Sequence, residues 1–246
     1  MKKFLFFLLA LVVISACEKD GQESAAMVSN DGQGGSLATF VLKGEYLYVV
    51  DHMDLNVFSV KETGNPVFVN SVPVGFDIET LFGFQDYLYI GSRNGMFIYG
   101  LTNPEQPSYL GGASHFTACD PVVANETHAF VTLHSNVICG NDINVLEVYD
   151  IQNITSPRLI HSRNLIQPKG LGLYNDFLIV CDDEIKIFDV SNPVNLKLVN
   201  SISKSAFDVI ILGDLLIAIG EAGLYQYQLI PTEEGLDYTE LSTVQI

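Results

Sequence analysis

Apolar and polar positions alternate along most of this chain, and the alternation comes in a unit that recurs. An apolar run stands at Tyr46-Leu47-Tyr48-Val49-Val50-Asp51. It returns at Tyr87-Leu88-Tyr89-Ile90-Gly91-Ser92, His128-Ala129-Phe130-Val131, Phe177-Leu178-Ile179-Val180-Cys181-Asp182 and Leu215-Leu216-Ile217-Ala218-Ile219. Successive starts lie 41, 41, 49 and 38 residues apart. A period in this range marks one supersecondary unit repeated, and short strands at this density point to propeller blades.

Each unit divides into four apolar segments separated by turn chemistry. A short turn such as Lys43-Gly44-Glu45, Asn175-Asp176 or Gly213-Asp214 precedes the run quoted above, which is the second segment. The third carries an aromatic at one recurring place: Phe58, Tyr99, Tyr149, Phe188 and Tyr227. Alternation around it, as in Ile187-Phe188-Asp189-Val190, is a strand signal. A turn with proline follows, in Thr102-Asn103-Pro104 and Ser191-Asn192-Pro193, where proline fixes φ and the preceding polar side chain caps the turn. The fourth segment is clear in four units and poorer in the fifth, around Tyr238 to Leu241.

Four strands in each of five units predict an all-β chain, a five-bladed β-propeller of four-stranded antiparallel blades. The blades run over about 37–75, 76–115, 116–166, 167–204 and 205–246. The chain order begins with a first strand and ends with a fourth, so the ring closes between blades one and five without a shared blade. An open stack of sheets is the alternative, disfavoured because it exposes two apolar faces. The regular repetition of the aromatics reads as packing between blades.

The segment before the repeats has a different character. Lys2 and Lys3 form a basic start, Phe4 to Ile14 an apolar stretch, and Ser15-Ala16 the small residues of a cleavage site. Ile14-Ser15-Ala16-Cys17 resembles the lipobox of bacterial lipoproteins. That resemblance implies a signal peptide over 1–16, cleavage before Cys17, and a lipidated Cys17 as anchor in a bilayer. Residues 18–36 are rich in Gly, Ser, Gln, Asp and Glu, and read as a flexible tether. The location expected is the cell envelope, at the outer membrane or cell surface in preference to the inner membrane.

A second resemblance is carried by the repeats. Leu178-Ile179-Val180-Cys181-Asp182 and Leu47-Tyr48-Val49-Val50-Asp51, with Phe188-Asp189-Val190-Ser191-Asn192-Pro193, resemble the LVIVD repeat of bacterial and archaeal extracytoplasmic propellers. The family implies a fold, frequent lipidation and protein-interaction or adhesion roles, but no catalytic motif.

Charge narrows the partners. The net charge is −17, and becomes two units more negative once Lys2 and Lys3 leave with the signal. A chain this acidic, without a basic stripe, is repelled by phosphate backbones, which excludes nucleic acid. There is no Trp to stack on sugars, although 11 Tyr remain.

In a propeller blade the first strand lines the central channel. The loops between strands two and three, and those between blades, share one face. That face gathers Asp51, His52, Asp54, Arg93, His134, Asp142, Asp182, Asp183, Glu184 and Glu221 as binding candidates, since variable polar loops on a rigid scaffold are the usual place for recognition. Solvated turns are the plainer explanation of any one of them. The insertion from His134 to Asn144 brings Cys139 close to Cys119 in the same blade. In an oxidising compartment this pair reads as a disulfide, contributing about 3 kcal/mol. Zinc held by Cys119, Cys139, His115 and His134 is the sharper alternative, with a spacing that fits no familiar motif. Cys181 reads as a small buried apolar residue.

Asp77, Glu79, Asp120 and Asp208 fall at the channel mouth and raise the question of an enzyme. Glycosidase carboxylates work roughly 5 to 9 Å apart, and Asp77, Asp120 and Asp208 are candidates for that role or for calcium. Minimal blades without long pocket-forming loops weigh against catalysis. The expectation is therefore a non-enzymatic module that uses no cofactor and binds an envelope or surface protein, with a glycan as the alternative.

Overall fold

The computed structural model describes residues 34–62, 64–115, 121–134 and 143–245. Among these residues the chain forms twenty strands in five sheets, each of four antiparallel strands in chain order. The first sheet is β1 (Phe40–Lys43), β2 (Tyr46–Val50), β3 (Asp54–Ser59) and β4 (Val67–Pro73). The second is β5 (Ile78–Phe84), β6 (Tyr87–Ser92), β7 (Gly95–Gly100) and β8 (Ser108–Ser114). The third is β9 (Val122–Ala124), β10 (His128–Leu133), β11 (Val145–Asp150) and β12 (Arg158–Asn164). The fourth is β13 (Leu171–Tyr174), β14 (Phe177–Cys181), β15 (Ile185–Asp189) and β16 (Lys197–Ile202). The fifth is β17 (Asp208–Leu212), β18 (Leu215–Gly220), β19 (Gly223–Thr232) and β20 (Gly235–Gln245). First strands of successive blades touch one another and therefore surround the axis. The five predicted blades are present, and none shares a strand.

Strand lengths differ from expectation at one place. The fifth blade, whose outer segment is the least legible, ends in the longest pair, β19 and β20, joined by a tight turn instead of a proline loop. Its outer strand is mostly exposed, so burial imposes no apolar alternation that a reader of the sequence would recognise.

The repeat has a structural counterpart in a bulge found in every blade. The ladder between third and fourth strands slips one residue just before the recurring aromatic, between Val57 and Phe58, Ile98 and Tyr99, Val148 and Tyr149, Ile187 and Phe188, and Gln226 and Tyr227. The unpaired residues opposite are Val69, Leu110, Ile160, Val199 and Leu241. A bulge re-aims side chains and sharpens twist. Here it turns the first four of these residues into partial burial, while the aromatic packs across to the preceding blade. Tyr99, Tyr149, Phe188 and Tyr227 each sit in a core shared with the blade before.

On the face of the tight turns, blades one and three hold the proline loop of the next blade, Arg163 Nη1 of blade three donating to Leu196 O. Tyr48 Oη donates to Pro104 O at 2.9 Å, and Asn70 Nδ2 to Glu105 O at 3.1 Å. In blade four Asn200 Nδ2 reaches Leu236 O. The corresponding residue of blade two is Gly111, where a Cβ would lie 2.6 Å from Ile154 O; that close approach requires glycine.

Four junctions are sealed by apolar faces, and the one between blades five and one is not. Leu88, Ile90, Leu178, Val180, Ile179 and Cys181 are fully buried at sealed junctions. At the fifth junction the equivalent side chains Leu47, Val49, Ile217 and Ile219 remain half-buried, and Phe40 is 56% exposed. A cleft of about 370 Å³ opens there, walled by Phe40 and Leu42 from β1 and by Phe207 and Ile210 beside and within β17. The predicted ring is present with an unsealed seam.

Ile179 and Ile217 occupy the same place in consecutive blades, so the seam has a thermodynamic signature. Ile179→Ala should cost about 2–5 kcal/mol of unfolding free energy, and Ile217→Ala less than half of that. Denaturant titration of the two variants checks this; equal losses would mean that the seam is packed shut in solution.

Candidate functional site

The loop face is assembled from the β2–β3, β6–β7, β10–β11, β14–β15 and β18–β19 turns and the connections between blades. Of the residues expected there, Asp142, Asp120, Cys119 and Cys139 lie outside the described residues, as does Cys17. Among the described residues no group of three or more His, Cys, Asp or Glu is placed to hold a metal. His134 is half-buried at the end of β10, and the His115 amide donates to Asn94 O. Cys181 is wholly buried, and burial pushes its thiol pKa up, which makes it inert packing.

The acidic residues divide into those engaged in holding the fold and those that face solvent. Asp182, a binding candidate in the sequence, is a structural residue. Its side chain is fully buried and accepts from Ile166 N at 3.0 Å, Gln167 N at 2.5 Å and Lys186 Nζ at 2.7 Å. It thereby pins the connection between blades three and four to the β14–β15 turn. Lys186 also donates to Asp183 at 2.6 Å. Burial works against the lysine charge, and its bonds to the two carboxylates outweigh that and raise its pKa. The same ammonium holds the exposed Asp183 carboxyl below its ordinary value.

Asp51 fills the corresponding place in blade one and stays exposed. The Met53 and Asp54 amides donate to Oδ1 and the Asn56 amide to Oδ2, which keeps the carboxyl below its ordinary value. His52 and Glu221 are exposed, and Asp54 and Glu184 are half-buried. Arg93 stands between two acids, with Nη1 3.6 Å from Asp77 Oδ2 and Nε 3.5 Å from Glu79 Oε1. Asp77 has a left-handed backbone, φ 53°, which Asp tolerates better than most residues.

Asp208 is the one channel-mouth carboxylate that the described structure buries, and both its oxygens are engaged. Ser36 Oγ donates to Oδ1 at 3.1 Å, Val209 N to Oδ1 at 2.9 Å, and Leu37 N to Oδ2 at 3.2 Å. Burial pushes its pKa up against the pull of these bonds. The side chain is closely bracketed, since a Cβ on Gly35 would stand 2.1 Å from Oδ2 and one on Gly170 2.2 Å from Oδ1. Asp208 therefore serves the segment before β1, with both oxygens already bonded.

A reading of polar residues misses the apolar ones between them. On the same face Phe76 is 69% exposed, Ile166 61% and Met53 48%. Met53 O accepts both Val74 N and Gly75 N, which brings the β2–β3 turn against the connection that carries Phe76. The sequence signal was available: Met53 and Phe76 sit in turns, where no core demands them. Exposed apolar groups rimmed by charge mark interaction surfaces.

Asp182→Ala leaves the Ile166 and Gln167 amides without their acceptor and removes the buried partner of Lys186, so it should cost about 3–5 kcal/mol. Glu184→Ala, in the same turn, should change stability by no more than about 0.5 kcal/mol. Thermal and denaturant melts of both distinguish a structural Asp182 from a merely solvated one.

Comparison with known proteins agrees with this architecture. The LVIVD repeat model matches residues 169–203, which span the fourth blade. No curated protein matches the chain significantly. Among solved structures, a protein from Lactobacillus plantarum superposes with a TM-score of 0.68 at 12% identity, covering 84% of this chain and 73% of that one. A periplasmic gluconolactonase from Pseudomonas aeruginosa gives 0.62 at 14% identity, covering 82% and 68%. A functionally unknown protein from Desulfotomaculum acetoxidans gives 0.53 at 11% identity, covering 82% and 80%. At such identities the likeness is one of fold. The chain is a five-bladed β-propeller that carries an LVIVD repeat as its fourth blade.

Proposed function

We propose that the protein is a non-enzymatic envelope lipoprotein, anchored through acylated Cys17, whose loop face binds another protein. The repeat-built propeller fits a binding or scaffold role. The observation that carries the finer reading is the adjoining pair of exposed apolar side chains, Met53 and Phe76, with Asp51, His52 and Asp77 in the same two connections. Apolar anchors of this kind supply most of the energy of an interface, and surrounding charge supplies rate and selectivity. The partner this face suits offers an apolar socket with a basic rim.

A glycan-active site needs carboxylates available to converge on a sugar. Asp208 has both oxygens engaged and Asp77 lies beside Arg93, so protein docking is the reading the geometry favours. The gluconolactonase likeness adds a fold and no shared site residue.

The test is retention of envelope proteins by the immobilised full chain, read by mass spectrometry. Phe76→Ala with Met53→Ala should reduce capture of a retained partner at least tenfold, while Phe68→Ala, on the outer strand of the same blade, leaves it unchanged. Glycan retained by the wild type in place of protein would replace this reading. Asp51 and Asp183 ionise below the ordinary carboxyl value, so they remain charged as pH falls to about 5. Their contribution to stability is present at neutral pH and lost only below the usual carboxylate range. Capture should therefore persist at about pH 5 and weaken with added salt.

A further inference from the structure

The seam between blades five and one poses a question that the other junctions do not. Neither a shared strand nor packed faces hold these two blades together, yet their inner strands stay close enough to wall one cleft. The segment just before β1 supplies the missing connection. Ser36, only 1% exposed, donates through Oγ to Asp208 of blade five and accepts from Leu171 N of blade four at 2.8 Å. Leu37 N adds a second bond to Asp208. Ala38 O accepts from Leu81 N of blade two at 2.7 Å, and Thr39 O from Val50 N of blade one at 2.9 Å. Five consecutive residues, Gly35 to Thr39, thus connect four blades across the channel mouth.

The local chemistry is built for this task. Ala38 N donates to Gly35 O at 3.1 Å, turning the segment back toward β1. Gly35 and Gly170 leave room for the Asp208 carboxylate, which any side chain at either place would displace. A buried carboxylate costs free energy unless it is fully bonded, and three donors meet it here. Asp208 is the first residue of its inner strand, opposite Ile219; the equivalent position in blade four, opposite Cys181, is Gly170, so nothing in the repeat itself calls for an acid there.

We propose that residues 34–39 are a strap that closes the ring, and that the seam between blades one and five is where the ring opens when the strap is released. An opened seam presents the facing sides of blades one and five, with Phe40, Leu47, Val49, Ile217 and Ile219 exposed together. The other four junctions stay shut because their apolar faces are already sealed.

Hydroxyl-radical footprinting of the full chain, read residue by residue by mass spectrometry, tests the strap. Ser36→Ala removes the hydroxyl's bonds to blades four and five, leaving only Leu37 N on Asp208, and Gly35→Val drives a side chain into Asp208. Both should raise oxidation at Leu47, Ile217 and Ile219, which are half-buried in the closed ring, at least threefold, while Phe130 and Leu178 at the junction of blades three and four keep wild-type rates. Unchanged oxidation at the seam in Ser36→Ala would overturn the proposal. Equal increases at all junctions would overturn it as well, because the segment would then stabilise the fold without acting on the seam.

Discussion

A four-stranded sheet in this protein has two apolar faces, and everything else follows from the need to cover both. A single blade cannot do so, and stacking covers one face with each neighbour. The fully buried positions at the four sealed junctions come from both faces of blades two, three and four. The five-fold bulge is the local device that serves this requirement. It sets the recurring aromatic of blades two to five against the preceding blade, and in blades one to four turns one extra apolar residue of the outer strand inward. Closing the stack into a ring is the only way to cover the last two faces, and at that point the protein substitutes a bonded segment for a packed interface.

The same geometry separates structure from recognition on the loop face. Carboxylates that recur in the repeat have different fates according to what lies over them. In blade four the connection from blade three crosses Asp182 and takes both its oxygens, with Lys186 completing the shell. In blade one no described segment crosses Asp51, which caps its own turn and keeps its charge in solvent. Asp208 is removed from the surface by the segment that precedes the first blade. Acidity of the chain as a whole therefore says little about which acids meet a partner. The exposed Met53 and Phe76 say more, because no core demands them and water disfavours them.

Much of the fold was legible in the sequence by itself. The spacing of apolar runs, the recurring aromatics and the asparagine–proline turns determined the number of blades, four strands in each, and the junctions that the aromatics seal. These features are local or periodic, and periodicity survives in one dimension. The least legible strand was β20, placed around Tyr238 to Leu241 but running from Gly235 to Gln245, since a mostly exposed outer strand carries little apolar alternation. Only the tertiary structure decided the fate of the individual acids, the half-covered seam and the stitching of four blades by Gly35 to Thr39. Those depend on residues about 135 and 172 positions apart coming within hydrogen-bond distance, as Ser36 does with Leu171 and Asp208. No pattern along the chain encodes such a meeting; it arises when the ring brings its first residues back to its last blades.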